Sequence, residues 1–231
     1  MKQLLILIFL TNSLLSFSQK TEGVATYEIT RKLNIKGRPG MNFDFPDEQK
    51  TLRKLTFKDS ISIWEVIHKE NDVSQNNGFS FRFVEPDNKL YIDRAAKNVK
   101  EKKDFLGKTF LIQSDLKPLK WHKTSEVKKI GDYFCQLAAF RDTSKTIQAW
   151  FTPQIPVGFG AEKYGDLPGL IVLLVVDEGK TIYSLKDIEF KHIDEIKAPE
   201  KGKKVSQEEY DKIVEEKLKN RGGLFDFYKE D

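Results

Sequence analysis

The sequence predicts a mainly β fold, an antiparallel sheet in the form of an open barrel or sandwich, finished by a C-terminal helix. Three observations predict it. Short apolar runs alternate with turn residues at spacings of about 8 to 12 positions, the rhythm of antiparallel strands rather than of βαβ units. Helical spacing is convincing only near the end of the chain. Hydrophobic residues make up 39% of the 231, with 17 Phe, which supports a packed core. The 14 Gly follow no three-residue period, so collagen is excluded, and the apolar content excludes a wholly disordered chain. The single Cys rules out an intramolecular disulfide framework and any zinc site built on two or more thiolates.

Taken in order, residues 1–18 carry Lys2, the apolar run LLILIFL and the small residues Ser16 and Ser18, the pattern of a signal peptide. A membrane anchor needs about 20 apolar residues. Here Thr11, Asn12 and Ser13 interrupt the run after seven. No Cys stands near the cleavage point for acylation. Export is therefore expected, to the periplasm in preference to the medium, and no transmembrane segment is expected in the mature chain. The domain plan is a signal peptide over 1–18, an antiparallel β domain over 19–197, and a linker with the C-terminal helix over 198–231.

Residues 24–33 (VATYEITRKL) form the first expected strand, followed by the Gly37 to Gly40 turn and an irregular loop to Asp47. Residues 51–57 and 61–67 alternate around Lys58-Asp59-Ser60. That hairpin is expected to carry Leu55, Phe57, Ile61, Ile63 and Ile67 on its apolar side. Asn77-Gly78 marks a turn. Residues 79–84 and 90–95 flank Glu85-Pro86-Asp87-Asn88-Lys89 as a further hairpin. Residues 170–176 (LIVLLVV) are apolar on both faces, as a strand buried in the middle of the structure requires. Pro168-Gly169 before it fits a type II turn with Gly169 at positive φ, and Asp177 to Lys180 turns the chain into a returning strand at 181–185. Ser206 and Glu209 form a capping box, and Tyr210, Ile213, Val214, Lys217 and Leu218 follow at helical spacing until Asn220-Arg221-Gly222-Gly223 stops them. Residues 198–204 (APEKGKK) are the expected linker.

Four blocks in this order, FLGKTFLIQSDLKPLKW (105–121), EVKKIGDYFCQLAAF (126–140), QAWFTPQIPVGFG (148–160) and YGDLPGLIVLLV (164–175), resemble the GLPGLI family of secreted bacterial proteins. The resemblance covers about residues 91–190. The motif departs at its first Gly, which is Asp166 here, while Leu167, Pro168, Gly169, Leu170 and Ile171 stand. The family's usual Gly-Pro ahead of it is Gly160-Ala161, and its usual Lys-Ala after the Cys is Leu137-Ala138. The resemblance implies export and a β-rich fold. It supplies no catalytic residue, because the family has no assigned activity.

Chemistry-bearing patterns are sparse. His68, His122 and His192 are isolated in sequence, with no metal-ligand spacing and no calcium loop, so no metal or other cofactor is expected. Phosphate loops and G-x-S-x-G elbows are missing, so no catalytic residue is nominated. Cys135, among apolar neighbours, reads as a buried small hydrophobe rather than a nucleophile or an intermolecular disulfide partner. Asp166, Asp177 and Glu178 surround the motif hairpin without a spacing that defines an acid and base pair.

A binding role has two sequence signals. Residues 97–129 hold ten Lys against four acids, including Lys97, Lys100, Lys102, Lys103, Lys120 and Lys123, with Trp121 among them. Such a stretch suits an envelope protein, a lipid headgroup or an anionic polymer. The alternative, which the sequence favours, is a solvated strand face with Trp121 turned into the core. Nucleic acid is disfavoured by export. The ligand-contacting candidates are Trp121, Trp150, Leu167, Pro168, Gly169 and Leu170, whose alternative role is the folding core of the sheet. Two functions follow: a non-catalytic envelope protein whose concave side takes an apolar, lipid-like or protein ligand, or a hydrolase of envelope polymers using dispersed Asp, Glu and His.

Overall fold

A computed structural model of the chain describes residues 21–33, 47–67, 74–76, 79–81, 86–141 and 145–219. The expected signal peptide, most of the loop after residue 33, the Asn77-Gly78 turn, His68 and the 220–223 helix stop lie outside the described residues. The chain forms β1 (Glu22–Lys32), β2 (Glu48–Lys58), β3 (Ile61–Val66), β4 (Ser74–Asn76), β5 (Phe79–Phe81), β6 (Lys89–Asp93), β7 (Asn98–Phe105) and β8 (Lys108–Asp115). It continues through β9 (His122–Ile130), β10 (Tyr133–Arg141), β11 (Thr146–Thr152), β12 (Leu170–Val176), β13 (Thr181–Glu189), β14 (Lys203–Val205) and the helix α1 (Gln207–Lys219). Twelve strands make one sheet in the order β14-β8-β7-β6-β3-β2-β1-β13-β12-β11-β10-β9, and β4 pairs only with β5. All pairings in the large sheet are antiparallel except β14 with β8.

The connection from β8 to β9 dictates the sheet's shape. These strands are ten spacings apart in the strand order, about 48 Å in a flat sheet. Only residues 116–121 join them, and a chain of that length reaches about 25 Å. The sheet must therefore curl. Its inner face carries one apolar cluster to which nine strands contribute, from Ala25, Tyr27 and Ile29 through Leu55, Phe57, Trp64, Leu90, Ile92 and Val99 to Ala138, Ile147, Ala149, Phe151, Leu174 and Tyr183. The sheet stays open and does not close into a barrel.

Local chemistry explains the elements. Asp59, at φ 51, turns β2 into β3 through a two-residue loop. That loop pairs Phe57 with Ser62 and Leu55 with Trp64. Trp64 therefore joins Leu55 and Phe57 inside, while Ile61 and Ile63 face outward, so the expected apolar side is corrected for both. A two-residue loop fixes the register, and a one-residue difference reverses every side chain beyond it. The expected hairpin between 79–84 and 90–95 is also corrected: β5 pairs with β4, and β6 lies between β3 and β7. The run at 170–176 is interior to the sheet: one face packs into the main cluster, and on the outer face Val172 clusters with Cys135, Leu137 and Trp150 of the neighbouring strands. The capping box closes as expected, with Ser206 N donating to Glu209 Oε2 at 2.9 Å and Glu209 N to Ser206 Oγ at 3.1 Å. Tyr210 then seats α1 on Phe105 and Phe110, edge to face. Residues 198–204, expected as a linker, supply most of β14.

Residues 190–202 strap the sheet from β13 towards β8. Glu22 accepts the Ile193 amide and the His192 ring, both at 3.1 Å, and Lys58 Nζ donates to the carbonyls of Ile193 at 2.5 Å and Asp194 at 3.1 Å. The His192 hydrogen bond, foremost, and the Ile193 amide hold the Glu22 carboxyl below its ordinary pKa. A lowered carboxylate pKa contributes stability that is present above the unfolded-state value and lost as pH falls through the folded one. Protection of the Ile193 amide against hydrogen exchange, corrected for intrinsic rates, should fall selectively between about pH 5 and pH 3. Unchanged protection across that window, or a pH-dependent fall that persists in the non-titrating Glu22→Gln, would refute the pinning role.

Candidate functional site

The segment between β11 and β12, residues 153–169, turns into the curled sheet instead of crossing its surface. Its apolar residues explain this: Ile155, Val157 and Phe159 alternate as a strand would, and with Ala161 and Leu167 all are 5% exposed or less. Burying five such groups contributes on the order of 10 kcal/mol as an upper bound. Backbone hydrogen bonds tie the plug to the start of β12 and to itself. Leu170 N donates to Ile155 O at 2.9 Å, Ile171 N to Phe159 O at 3.0 Å and Asp166 N to Gly158 O at 3.1 Å. Register slips between Trp150 and Phe151 where β11 meets β12, and the buried Tyr27 hydroxyl donates to the Ile171 carbonyl at 2.6 Å. Burial pushes the Tyr27 phenol far above its ordinary pKa, so it stays a donor. The segment is a plug.

A latch of polar groups holds the plug's outer corner. Arg94, from the turn between β6 and β7, donates through Nη1 to Asp166 Oδ1 at 2.7 Å and through Nη2 to Tyr164 O at 3.4 Å, and its guanidinium lies 5.6 Å from the Phe159 ring centre. Its Nε is buried without a hydrogen-bond partner. Gly165 is required here, because a Cβ would sit 2.5 Å from Arg94 Cζ and 2.6 Å from Gly158 O. Trp121 Nε1 donates to Gly165 O at 2.8 Å, and the indole packs edge to face on Phe140. At the other corner Tyr183 donates to Glu162 Oε1 at 2.7 Å, with Glu162 at φ 52. Burial, first, and the Glu162 charge raise the Tyr183 phenol well above its ordinary pKa, so the proton rests on Tyr183.

Positive φ belongs to Asp166, at 64°, and not to Gly169, which corrects the expected type II turn. The motif position that the family fills with Gly is therefore a left-handed one. Asp occupies it at modest cost because Asn and Asp tolerate that region, and it adds the ion pair to Arg94. Gly169 is needed for a different reason. A Cβ there would overlap the Thr152 carbonyl oxygen and lie 2.6 Å from its carbon, so the backbones at the two ends of the plug touch.

The structure brings some expected residues together and separates others. Trp121, Leu167 and Leu170 belong to the inner cluster with the motif, whereas Trp150 faces outward under Lys128, whose Nζ is 3.8 Å from the ring centre. The concave side where a ligand was expected holds the plug. Of the basic stretch, Lys97, Lys100, Lys102 and Lys103 lie on or beside β7 and Lys120 and Lys123 on or beside β9, two ends of the strand order that the 116–121 connection draws towards each other. Lys102 pairs with Asp87 at 2.9 Å, and Lys103 meets Glu101 at 3.4 Å and lies over Tyr210.

Acid, base and metal chemistry finds no constellation among the described residues. No group of three or more His, Cys, Asp or Glu could hold a metal ion there. Asp166 is bound to Arg94, and Asp177 accepts the Thr146 amide. Burial raises the Cys135 thiol to about 11, which leaves it protonated at neutral pH. Sequence reasoning missed Arg94, Glu162, Tyr183 and Tyr27. The strand-like alternation at 155–159 inside a Pro- and Gly-rich loop was the available signal for the plug.

Restoring the family residue with Asp166→Gly exchanges an ion pair for relief of the left-handed backbone and should change stability by less than about 1 kcal/mol, whereas Asp166→Val should cost about 2 kcal/mol or more. Gly169→Asn discriminates the two readings of that turn, since Asn accepts positive φ but cannot shed its Cβ. Thermal unfolding should place it about 3 kcal/mol or more below the parent. A near-native Gly169→Asn would reinstate the type II turn.

Comparisons with known proteins bear on one segment of the chain and on its fold. Residues 140–173, which span the end of β10, all of β11, the plug and the start of β12, match the family described as "Protein of unknown function (Porph_ging)", of GLPGLI type. No curated protein matches the chain. Two crystal structures of PNGF-II, in space groups P21 and C2, share the fold with TM-scores of 0.53 and 0.51 at 16% and 17% identity. They cover 84% and 82% of this chain, which spans about a third of theirs, 33% and 32%. The chain thus carries, over residues 140–173, a GLPGLI-type segment of unassigned function set in a PNGF-II-like sheet.

Proposed function

We propose that the protein is an exported, periplasmic, non-catalytic envelope protein that binds a protein partner through surface or sheet edge outside its filled interior. One observation carries the reading: the motif residues are spent on holding the chain's own plug inside the sheet, so the concave side is occupied by residues 153–169. A protein whose interior is filled by itself has its exterior left for recognition. This argues for a protein partner over an apolar or lipid-like ligand, which would require an interior cavity or groove.

The hydrolase alternative needs carboxylates or histidines converging within hydrogen-bond reach. What weighs against it is the use of the acids nearest the motif. Asp166 serves Arg94, and Glu162 serves a phenol that keeps its proton. His192 is engaged by Glu22, which also accepts the Ile193 amide, so both side chains serve the strap.

Expression in a Gram-negative host with osmotic-shock fractionation, followed by amine-reactive cross-linking of intact cells of the native source, tests the reading. The expected outcome is a periplasmic chain with its N-terminus at Gln19 and one discrete cross-linked protein adduct. Retention of residues 1–18 in the cytoplasm contradicts export. Hydrolysis of envelope polymer that Glu162→Gln abolishes in a folded protein replaces binding with catalysis.

A further inference from the structure

Three large apolar side chains remain exposed among the described residues, Leu106 at 39% and Val127 and Phe134 at 60% each. Two of them meet. Phe134 pairs with Lys129 and Gln136 with Val127 across β9 and β10, which puts Phe134, Val127 and Lys129 on one face as direct or diagonal neighbours. On the opposite face of the same strand Lys128 covers Trp150. Beyond β9 the sheet has no further strand among the described residues, so the outer N–H and C=O groups of this edge face away from β10.

The two ends of the sheet are treated differently. At one end β14 is three residues long, parallel, and followed at once by α1. At the other, β9 has nine residues, and a bulge opposite Leu137 interrupts it. There the chain satisfies its own groups: Thr124 Oγ1 donates to Leu137 O, Gln136 Nε2 donates to Thr124 O, and the Glu126 amide donates to Thr124 Oγ1. The bulge protects residues 124–126 against strand addition. Residues 127–130 continue in regular register beside Phe134, and this is the half that carries the exposed apolar pair.

We propose that the edge Val127 to Ile130, with Phe134 beside it, is a docking site for an extended acidic segment of a partner protein, which adds as a thirteenth strand. The backbone edge selects a polypeptide, because only another strand supplies donors and acceptors at strand spacing. Val127 and Phe134 select apolar residues on one face of that segment. Lys123, Lys128 and Lys129, against Glu126 alone on β9, select carboxylates. The inference rests on the protein-partner reading above and gives it a place and a chemistry.

The full mature chain, labelled with nitrogen-15, is titrated with a capped octapeptide of alternating Val and Glu. Amide shifts should concentrate at 127–130 and 134, with affinity about tenfold above that of the matched Val and Lys peptide, a difference that shrinks with salt. N-methylation of alternate peptide amides should abolish binding, as should Val127→Lys with Phe134→Lys. Both residues are exposed, so unchanged thermal unfolding of that variant certifies its fold. Equal binding of the Lys peptide or of the N-methylated peptide overturns the proposal. So does binding to phosphatidylcholine vesicles with one fifth phosphatidylglycerol in place of the peptide, or a dimer that Phe134→Lys dissociates. If the peptide fails while the discrete cellular cross-link survives Val127→Lys, the partner-binding function stands and this edge is the wrong surface.

Discussion

The structure depends on one constraint: a twelve-stranded sheet whose second and last strands are joined by six residues has to curl, and a curled sheet of this width encloses more space than its strand side chains fill. Residues 153–169 fill it. Ile155, Val157, Phe159, Ala161 and Leu167 complete the core that Tyr27, Phe57, Trp64 and Leu174 begin. The price of bringing a loop inside is its backbone polarity. The ladder of Leu170, Ile171 and Asp166 amides to plug carbonyls, with the Tyr27 and Trp121 side chains, answers it.

Seen this way, the motif is a description of plug closure. Gly165 admits Arg94, position 166 takes the left-handed backbone, Leu167 is buried, and Gly169 lets the two ends of the plug touch at Thr152. Asp166 in place of Gly is then a local variation on one solution, in which the strained position also serves as the acceptor for Arg94. The segment that matches the family, residues 140–173, is the segment needed to build and seat the plug. Within that segment the matched residues have folding roles that the structure shows directly: Leu167 is buried and Gly169 meets Thr152.

Much of the strand pattern was legible because its signals are local. The Ser206 and Glu209 capping box, the Asp59 turn and the 170–176 run each predict their own element from a few neighbouring residues. What failed was non-local. The faces of Ile61 and Ile63 depend on register set by the loop length, and residues 79–81 pair with β4 while β6 is taken up between β3 and β7, a choice among competing strands that no local signal encodes. Arg94 and Asp166 are 72 residues apart in sequence. No spacing rule joins them, nor Tyr27 to Ile171. Trp150 is placed on the outer side by its position on β11, whereas Trp121 reaches Gly165 O from the loop before β9, a contact 44 residues away that no local pattern signals.

Native-state hydrogen exchange of the amides that donate to plug carbonyls tests the central claim most directly. If residues 153–169 are a structural part of the core, the amides of Asp166, Leu170 and Ile171 should exchange only through global unfolding, at the same free energy as amides of the central strands β1 and β13. Exchange of these three at a much lower free energy, while β1 and β13 stay protected, would mean that the plug leaves the sheet on its own, and would make the concave face a binding site instead of a core.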